Sequence, residues 1–357
     1  MRVLVAMSGG VDSSVVAARL AADGHDVVGA TLQLYDHGAT ARRKGACCAG
    51  EDIHDARRVA DRINIPHYVI DAEQRFRAGV IDRFADAYAV GETPVPCISC
   101  NQGVKFTDLL GMARELGCEA MATGHYVRRT EGPAGAELRR PLDRERDQSW
   151  FLFGTTRAQL EFLRFPLGEM ADKRAVRNEA ERLGLSVAAK PDSQDLCFVP
   201  DGSYAGLVER LRPEVAGSGE IVARDGTVLG RHEGLARYTV GQTRRLGDAA
   251  MRNGERQQVV AIEPNSRRIV VAPRGGAGTR RVRLRDVNWL VAPPETGMRC
   301  GVQMRARETV RPATVTADGS VLLDEPALPA PGQACVFYDG DRVLGGGFIR
   351  RTDAAAA

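Results

Sequence analysis

The N-terminal segment RVLVAMSGGVDSS (2–14) constrains the fold more than any other part of the chain. A short apolar run from Val3 to Ala6 leads into two glycines and several hydroxyl or carboxylate residues, and the amphipathic stretch VVAARLAADG follows. This pattern predicts a strand, a tight loop and a helix. Free backbone N–H groups and the positive end of the helix dipole together make such a loop an anion-binding site.

The alternation of strands and helices continues through the first third of the chain. The predicted strands are 27–35, 67–71 and 119–125, and the predicted helices are 51–63, about 73–90 and 105–116. Such alternation predicts an α/β domain with a parallel sheet covered on both faces. Ligands bind beyond the carboxyl ends of the strands in these sheets. The SGGVDSS loop, Leu32, and Gly124 with His125 all fall at predicted strand ends.

The later part of the chain has a different pattern. From about Pro213, glycine-punctuated alternating segments predict hairpins, and from Thr279 strand follows strand, which predicts a small barrel. A chain of 357 residues also exceeds what one ordinary core holds. We therefore expect a catalytic domain at 1–210, a small β-rich central domain at 211–277, a C-terminal β-barrel at 278–352 and a disordered tail at 353–357.

Composition narrows the class of protein. Hydrophobic residues make up 43% and charged residues 27% of the chain, which is typical of a soluble globular protein. The N-terminal apolar run is too short for a membrane span or signal peptide, so we expect a cytoplasmic protein without a membrane partner. Eight cysteines in such a chain indicate reduced thiols used for chemistry or metal binding. Arginines account for 45 of the 49 basic side chains, so arginine identity carries little information, although residues 263–311 form a basic stretch of net charge +7.

The loop itself contains no lysine and fits neither of the common glycine-rich nucleotide motifs. Charge compensation is therefore expected from N–H groups, the helix end and a metal, with Asp12 placed to hold Mg²⁺. An ordinary glycine turn, in which Asp12 or Ser13 caps the helix, is the alternative. The full SGGVDSS motif after a first strand resembles the PP-loop ATP pyrophosphatases. That resemblance implies cleavage of ATP between its α and β phosphates, adenylation of a carbonyl oxygen and release of pyrophosphate.

Cysteines supply the second chemical signal. Cys97 and Cys100 lie three residues apart in a proline-bounded loop before a helix, and could be metal ligands, a redox pair, a nucleophile with a neighbour, or simply small apolar residues. Cys197 lies between a polar turn and an apolar run. The remaining cysteines are interpreted as structural: Cys47 and Cys48 in a loop, and Cys118, Cys300 and Cys335 as packed thiols.

Eight motifs occur in an order that resembles the bacterial tRNA-specific 2-thiouridylase family over nearly the whole chain. They are SGGVDSS, GACCAGEDIHDARRVAD, TPVPCISCNQGVKF, ATGHY, DRERDQSWFL, KPDSQDLCFV, YTVGQ and PGQACVFYDGDRVLGGG. The resemblance implies a PP-loop domain, a small central domain and a C-terminal β-barrel. It also implies ATP-dependent 2-thiolation of the wobble uridine of tRNA, with sulfur passed from a cysteine persulfide that a sulfur-relay or cysteine desulfurase protein supplies.

The resemblance also implies functional roles for individual residues. The residues implied to bind ATP are Ala6, Met7, Ser8, Gly9, Gly10, Val11, Asp12, Ser13, Leu32 and Gly124. Cys100 corresponds to the nucleophile, and Cys197 to the cysteine that carries the persulfide. The residues implied to contact tRNA are His125, Arg146, Asp147, Gln148 and Gln333, with Arg305 and Ala306 as weaker matches.

One departure from the family leaves the sulfur chemistry open. Many members have aspartate three residues before the nucleophile, where this chain has Cys97. Cys97, Cys100 and Cys197 could together hold a 4Fe–4S cluster with one open iron. Other PP-loop adenylating enzymes, such as 2-thiocytidine-type tRNA thiolases with an iron–sulfur cluster or amide-forming synthetases, are the alternative enzymes. An RNA-binding module without catalysis would leave the loop and cysteines without a role.

Overall fold

A computed structural model describes residues 1–35, 49–192, 196–199 and 202–351. The chain folds into two compact units. The first unit contains residues 1–80, 97–202 and 341–343, and the second contains residues 81–96, 203–340 and the chain from 344 onwards. The predicted tail at 353–357 and the predicted loop of Cys47 and Cys48 lie outside the described residues.

A five-stranded parallel sheet organises the first unit, with strand order β3-β2-β1-β4-β7. The strands of this unit are β1 (Arg2–Ala6), β2 (Asp26–Gln33), β3 (His67–Asp71), β4 (Ala120–Ala122), the hairpin β5 (Arg128–Gly132) and β6 (Gly135–Arg139), and β7 (Leu163–Arg164). The sheet confirms the predicted α/β class. Strand β4 is much shorter than the predicted strand at 119–125, because the chain leaves the sheet before Gly124.

Helices connect these strands. In the described residues the α-helices are α1 (Val11–Ala22), α2 (Ala49–Arg62), α3 (Glu73–Phe76), α4 (Asp82–Ala89), α5 (Pro96–Ser99), α6 (Phe106–Glu115), α7 (Arg157–Phe162), α8 (Lys173–Arg182) and α9 (Tyr204–Leu211). Two π-helical segments occur in the described residues: Arg77–Ile81 interrupts the helix predicted at about 73–90, and Cys100–Lys105 lies where the sequence predicts a loop before the helix at 105–116. Such segments are frequent at functional sites.

One apolar core fixes the parallel sheet and its helices. Fully buried valines of β1, Val3 and Val5, pack with Val15 and Val16 of α1 and with Val176 of α8. Strand β1 is buried on both faces from Val3 to Val5, as in a parallel sheet covered by helices, and the helical spacing of apolar residues on α1 completes this packing. The core holds the carboxyl end of β1, and therefore the SGGVDSS loop, in a fixed position.

The second unit is rich in strands, as predicted. Its strands are β8 (Ala216–Ala223), β9 (Val228–Gly234), β10 (Met251–Arg252), β11 (Glu255–Glu263), β12 (Arg268–Pro273), β13 (Thr279–Trp289), β14 (Met298–Gln303), β15 (Arg311–Val315), β16 (Ser320–Ala327), β17 (Ala334–Asp339) and β18 (Arg342–Ile349). Strands β8 to β12 form one five-stranded sheet. Strands β13-β16-β15-β14-β17-β18 form a barrel that the pairing of β13 with β18 closes.

The cysteines predicted to be packed thiols differ in burial. Cys118 and Cys335 are buried, as predicted, and Cys300 is half-buried. No helix in the described part of the chain has the length and apolar character needed to cross a membrane.

Candidate active site

The SGGVDSS loop lies where the sequence predicts it, between β1 and α1. Gly10 is the N-terminal cap residue, with extended backbone, and no described side chain accepts a hydrogen bond from the first N–H groups of α1. The Ser13 hydroxyl instead accepts a hydrogen bond from the Ser8 N–H at 3.0 Å, and the Ser14 hydroxyl donates to the Gly10 carbonyl at 2.8 Å. Neither Asp12 nor Ser13 caps the helix, so the N–H groups remain available to an anion.

The loop packs closely against the start of α2. Gly9 has φ +73°, and a Cβ atom there would lie 2.1 Å from the Asp52 carbonyl oxygen, so only glycine fits. Lys190 fastens the contact by donating to the Gly9 carbonyl at 3.1 Å, to Asp52 at 2.6 Å and to Asp55 at 2.5 Å. Arg58 also donates to Asp55. Two carboxylates of the GEDIHDARRVAD motif, together with Lys190 from a distant segment, therefore hold the loop in place.

A second lysine lies on the other side of the loop. Lys173 donates to both carboxylate oxygens of Asp12, at 2.7 and 2.8 Å, and to Asp192 at 2.8 Å. The Tyr126 hydroxyl donates to Asp12 at 2.7 Å, and burial with the nearby Asp12 charge raises the pKa of Tyr126. The loop itself carries no lysine, but the expectation that N–H groups, the helix end and a metal alone supply its positive charge is incomplete. Lysines distant in sequence supply positive charge at the loop.

Asp192 extends this charge network to a residue predicted to contact tRNA. It accepts hydrogen bonds from Arg146 at 2.8 Å and from Arg177 at 3.1 Å in addition to Lys173. Burial acts to raise the pKa of Asp192, but Lys173 and Arg146 outweigh it and hold the pKa below its usual value. Asp192 is thus an anion throughout the neutral range and ties Arg146 to the nucleotide loop.

The loop after β4 packs against the start of α1. A Cβ atom at Gly124 would lie 2.9 Å from the Ser13 nitrogen, so the close approach requires glycine. Leu32 is half-buried near the carboxyl end of β2, and the neighbouring Thr31 hydroxyl donates to the Met7 carbonyl at 2.7 Å. The residues predicted to bind ATP, from Ala6 to Ser13 together with Leu32 and Gly124, thus lie at the carboxyl ends of neighbouring strands.

Cys100 and Lys105 are brought together by the π-helical segment. Residues five apart lie on one face when the helix closes i to i+5 hydrogen bonds, which places Lys105 beside Cys100. Burial acts to lower the pKa of Lys105, but the charges of Cys100, Cys97 and Cys197 outweigh it and raise the pKa. The three predicted cysteines therefore share one cation.

The three thiols differ in their access to solvent. Cys100 is buried, whereas Cys97 and Cys197 are exposed, and all three are free. Burial raises the pKa of each thiol, to about 12 for Cys197, and the charge of Lys105 opposes that rise. All three thiols are consequently protonated near neutral pH and need Lys105 to stabilise any sulfur anion.

His125 connects the two parts of the site. It follows Gly124, which packs on the nucleotide loop, and its ring lies edge-on to Phe106 at 6.1 Å between centroids. Burial and the positive charge of Lys105 lower the pKa of His125 to about 3. The imidazole is therefore neutral at physiological pH, with Nδ1 within 2.8 Å of the Thr123 hydroxyl. A neutral ring of this kind can contact a base but cannot carry charge to a phosphate.

Metal binding receives no direct support. Across residues 1–35, 49–192, 196–199 and 202–351, no group of three or more His, Cys, Asp or Glu side chains is arranged to hold a metal ion. The predicted ligand sets at Asp12 and at Cys97, Cys100 and Cys197 thus do not form such a group.

Two of the residues predicted to contact tRNA in the first unit also stabilise the local fold. Asp147 accepts hydrogen bonds from Arg140 at 2.9 Å and from the Ser149 N–H at 2.9 Å. The Gln148 side-chain oxygen accepts one from the Tyr126 N–H at 2.8 Å. Arg146 remains the more exposed member of this segment. The segment thus packs on Tyr126, the same residue that contacts Asp12.

The remaining predicted contacts lie together in the second unit. The Gln333 side chain donates to the Thr93 carbonyl at 2.8 Å, and the Thr93 and Thr239 hydroxyls are 3.4 Å apart. Arg305 donates to the Val240 carbonyl at 3.2 Å and packs on Gly241. The Ala306 carbonyl accepts a hydrogen bond from the Gln303 side chain. Three segments of the recognised motifs, GETPVP, YTVGQ and PGQ, therefore meet around Thr93.

The basic stretch at 263–311 is partly neutralised. Arg268, Arg285 and Arg299 pair with Glu220, Glu92 and Asp324, all of which lie outside the stretch. Within β13, by contrast, Arg280, Arg281 and Arg283 are exposed. The net charge of the segment thus overstates its surface charge, and the exposed face of β13 is its most basic part.

This parallel sheet, with a glycine-rich anion loop after its first strand, defines the first unit as an α/β nucleotide-binding domain. A family described as tRNA methyl transferase HUP domain matches residues 1–201. A tRNA methyl transferase PRC-barrel domain matches 207–273, and an aminomethyltransferase β-barrel domain matches 279–349.

Curated relatives then identify the family. A tRNA-specific 2-thiouridylase of Gluconobacter oxydans is 69% identical over 99% of this chain and 100% of its own length. Its counterpart from Acidiphilium cryptum is 64% identical over 98% of this chain and 100% of its own. Among solved structures, NMN synthetase from Francisella tularensis aligns over 59% of this chain and 76% of its own, at 14% identity and a TM-score of 0.34. The chain belongs to the tRNA-specific 2-thiouridylase family, which confirms the resemblance.

Proposed function

We propose that this chain activates the O2 atom of a tRNA uridine with ATP and replaces that oxygen with sulfur. The expected class of enzyme, a tRNA uridine 2-sulfurtransferase, is confirmed by the family to which the chain belongs. The observation that carries the proposal is the pair Gly124 and His125. Gly124 packs on the nucleotide loop, and His125 lies beside Lys105 of the cysteine cluster. A uridine at this pair would be within reach of both activation and sulfur transfer.

Adenylation is the first step of the proposal. ATP is a substrate whose phosphates would meet the N–H groups of Val11 to Ser13, and the uridine O2 would attack the α-phosphorus as pyrophosphate leaves. The loop supports this because its N–H groups are uncapped within the described chain and its position is fixed by Lys190. Adenylation converts a poor leaving group into AMP, so that sulfur can displace it at C2. The base must leave the anticodon stack to reach the loop.

Sulfur transfer is the second step. The terminal sulfur of a Cys197 persulfide would attack C2 and expel AMP, which leaves a disulfide between Cys197 and the uridine sulfur. The Cys100 thiolate would then attack the Cys197 sulfur, forming a Cys100–Cys197 disulfide and releasing 2-thiouridine. A dithiol reductant restores both thiols. Lys105 supports this sequence because its positive charge opposes the rise that burial causes in the pKa of both cysteines.

The metal hypotheses receive less support from the side chains. Both oxygens of Asp12 are engaged by Lys173 and one also by Tyr126, so Mg²⁺ does not fit there as the site stands. Cys97, Cys100 and Cys197 share Lys105, and a cation beside three thiolates competes with an iron cluster for their charge. The persulfide route remains the proposal, and the 4Fe–4S cluster is an outcome that iron analysis of the purified protein would detect.

The deciding measurement combines tRNA analysis with protein chemistry. Cells lacking this protein should lose 2-thiouridine from their tRNA, as measured by nucleoside mass spectrometry, and the cloned chain should restore it. Protein purified without oxygen should be colourless, and Cys97→Asp should remain active with a persulfide donor. A brown protein with about four irons per chain, whose activity disappears in Cys97→Asp, would establish the cluster route instead. Unchanged 2-thiouridine with a loss of another thiolated base would favour the 2-thiocytidine alternative.

Partners and organisation complete the proposal. We infer a cytoplasmic enzyme that receives sulfur from a sulfur-relay or cysteine desulfurase protein, with domains at 1–210, 211–277 and 278–352. We propose that tRNA contacts His125 and Arg146 in the first unit and, separately, the exposed arginines of β13 in the second unit. Replacing Arg281 and Arg283 with glutamine should lower the slope of log affinity for tRNA against log salt by about one for each phosphate that the protein no longer binds. An unchanged slope would place the phosphate-binding residues elsewhere.

A further inference from the structure

Several carbonyl groups of the nucleotide loop accept hydrogen bonds from side chains. Lys190 donates to the Gly9 carbonyl at 3.1 Å, and the Ser14 hydroxyl donates to the Gly10 carbonyl at 2.8 Å. A loop that binds an anion presents N–H groups to it, and a carbonyl oxygen turned the same way would repel the anion. Each of these bonds therefore also directs an acceptor elsewhere. The Met7 carbonyl, where β1 becomes the loop, is held from another element.

Met7 is bound to β2 through both of its backbone groups. Its N–H donates to the Ala30 carbonyl at 2.8 Å, and its carbonyl accepts a hydrogen bond from the Thr31 hydroxyl at 2.7 Å. Thr31 is only 5% exposed, so the second bond is shielded from water. The attachment of β1 to β2 thus extends one residue beyond Ala6, and the free part of the loop begins at Ser8.

His67, which begins β3, completes this contact. Its Nε2 atom lies 2.8 Å from the Thr31 hydroxyl oxygen. A hydroxyl has one proton, and here that proton goes to the Met7 carbonyl, which can only accept. The imidazole therefore donates from Nε2 and leaves Nδ1 unprotonated. Nδ1 is buried without a hydrogen-bond partner among the described residues, and burial, aided by the charge of Arg57, lowers the pKa of His67, so the ring is neutral at physiological pH.

Packing over Gly29 brings the three side chains together. Gly29 is the partner of His67 in the register of β2 with β3, and a Cβ atom there would lie 2.6 Å from the Met7 sulfur and 3.0 Å from the His67 ring. A larger residue would displace one of them. The absent side chain thus allows three neighbouring strands to place Met7, Thr31 and His67 in one contact.

We propose that Thr31 and His67 are positioning residues for ATP: the hydrogen-bond chain from His67 Nε2 through the Thr31 hydroxyl to the Met7 carbonyl holds the loop in its anion-binding shape before ATP arrives. The inference rests on the proposed adenylation of tRNA. Neither side chain is assigned a contact with the nucleotide. They act by excluding loop shapes in which a carbonyl replaces an N–H group at the phosphates. Because this contribution is made before binding, its loss should raise the KM for ATP and leave kcat unchanged.

Titration calorimetry of the whole chain with a non-hydrolysable ATP analogue tests the effect on binding. Thr31→Val keeps a similar shape and loses the hydroxyl, so affinity should fall by about tenfold, the factor for one buried hydrogen bond left unmade. Thr31→Ser keeps the hydroxyl and should recover most of the affinity. His67→Gln keeps a donor near the Nε2 position and should bind more tightly than His67→Leu. The matched control is Tyr68→Ser, at the exposed neighbouring position on β3, which should bind as wild type does.

Steady-state pyrophosphate release with tRNA separates positioning from chemistry. Thr31→Val should raise the KM for ATP by about tenfold and keep kcat within about twofold of wild type, because only preorganisation is lost. A lower kcat at unchanged KM would overturn the inference, as would a Thr31→Val chain that binds the analogue as tightly as wild type.

The tautomer of His67 is tested without any nucleotide. In nitrogen NMR spectra of ¹⁵N-histidine-labelled chain, with His67→Gln to assign the signals, His67 should have a protonated Nε2 and an unprotonated Nδ1. A proton on Nδ1 would overturn the hydrogen-bond chain, whether or not Thr31→Val folds. Wild-type chain that binds no ATP analogue would instead refute the proposed function, and the NMR result still decides the direction of the hydrogen bonds to Thr31.

Discussion

Replacing Lys190 with methionine tests how the nucleotide loop is held. Lys190 is 26% exposed and Asp55 is 6% exposed, so their ion pair is neither a surface pair nor a fully buried one. Losing one partner of a fully buried pair costs about 3–5 kcal/mol, whereas exposed pairs contribute about 0–1 kcal/mol. Because Arg58 still pairs with Asp55, we expect Lys190→Met to lower the free energy of unfolding of the first unit by about 2 kcal/mol.

The two tryptophans allow this effect to be measured in one unit. Trp150 is buried in the first unit, and Trp289 belongs to the barrel. In a Trp289→Phe background, the fluorescence of Trp150 during urea unfolding therefore reports the first unit. Arg182→Met, which breaks an exposed pair with Glu179, should leave the midpoint unchanged.

A double-mutant cycle separates the ion pair from general damage. Lys190→Met and Asp55→Asn should together destabilise the unit by clearly less than the sum of the single effects, because each removes the same interaction. Additive effects, or a Lys190→Met midpoint equal to that of wild type, would refute the reasoning that this lysine fixes the loop.

The pH dependence of the same pair has a defined sign. Burial acts to lower the pKa of Lys190, but Asp52 and Asp55 outweigh it and raise the pKa. Burial acts to raise the pKa of Asp55, but Lys190 and Arg58 outweigh it and lower the pKa. Stability from Asp55 is thus present above its unfolded pKa of about 3.9 and lost as the pH falls through the lower folded value. Stability from Lys190 is present below about pH 10.4 and lost as the pH rises through the higher folded value.

The cysteine cluster gives three further predictions. Cys100→Ser and Cys197→Ser should abolish formation of 2-thiouridine while tRNA-dependent pyrophosphate release continues, with Cys300→Ser as the active control; loss of release would contradict separate steps. Lys105→Met removes a charge that lowers the thiol pKa values, so alkylation by iodoacetamide at pH 8 should slow by about three- to tenfold, and equal rates would refute its role. The His125 ring signals in NMR spectra should not titrate between pH 8 and 5, because burial and Lys105 lower its pKa to about 3, and a midpoint near 6.5 would contradict this.

Regular features of the fold could be predicted because they depend on short-range patterns. The apolar run at Val3 and the glycines after it determine a strand and a loop whatever follows. Alternating segments after Thr279 similarly predict strands, and the barrel confirms them. The strand predicted at 119–125 is too long because Gly124 must leave the sheet to contact Ser13, and the sequence near Gly124 carries no trace of that distant partner.

The presence of these lysines in the site could not be predicted from the spacing of residues in the sequence. Lys173 contacts Asp12 across 161 residues and Lys190 contacts Gly9 across 181, and no local pattern links such positions. Lys105 lies within the recognised CNQGVKF motif, yet a regular α-helix would turn it away from Cys100. Only the π-helical segment brings the two onto one face. The available signal was compositional, since lysine is rare in this chain and arginine common.

Lysine is rare in this chain, yet Lys105, Lys173 and Lys190 all lie at the candidate site. Each lies beside acidic or sulfur-bearing side chains of the site: Lys173 beside Asp12 of the loop, Lys190 beside the carboxylates that support the loop, and Lys105 beside the thiols. A guanidinium presents its donors in one plane, whereas the acceptors around these three lysines approach from several directions. An ammonium with three tetrahedral donors fits such places. A surface cation, by contrast, needs only charge, and there the chain uses arginine.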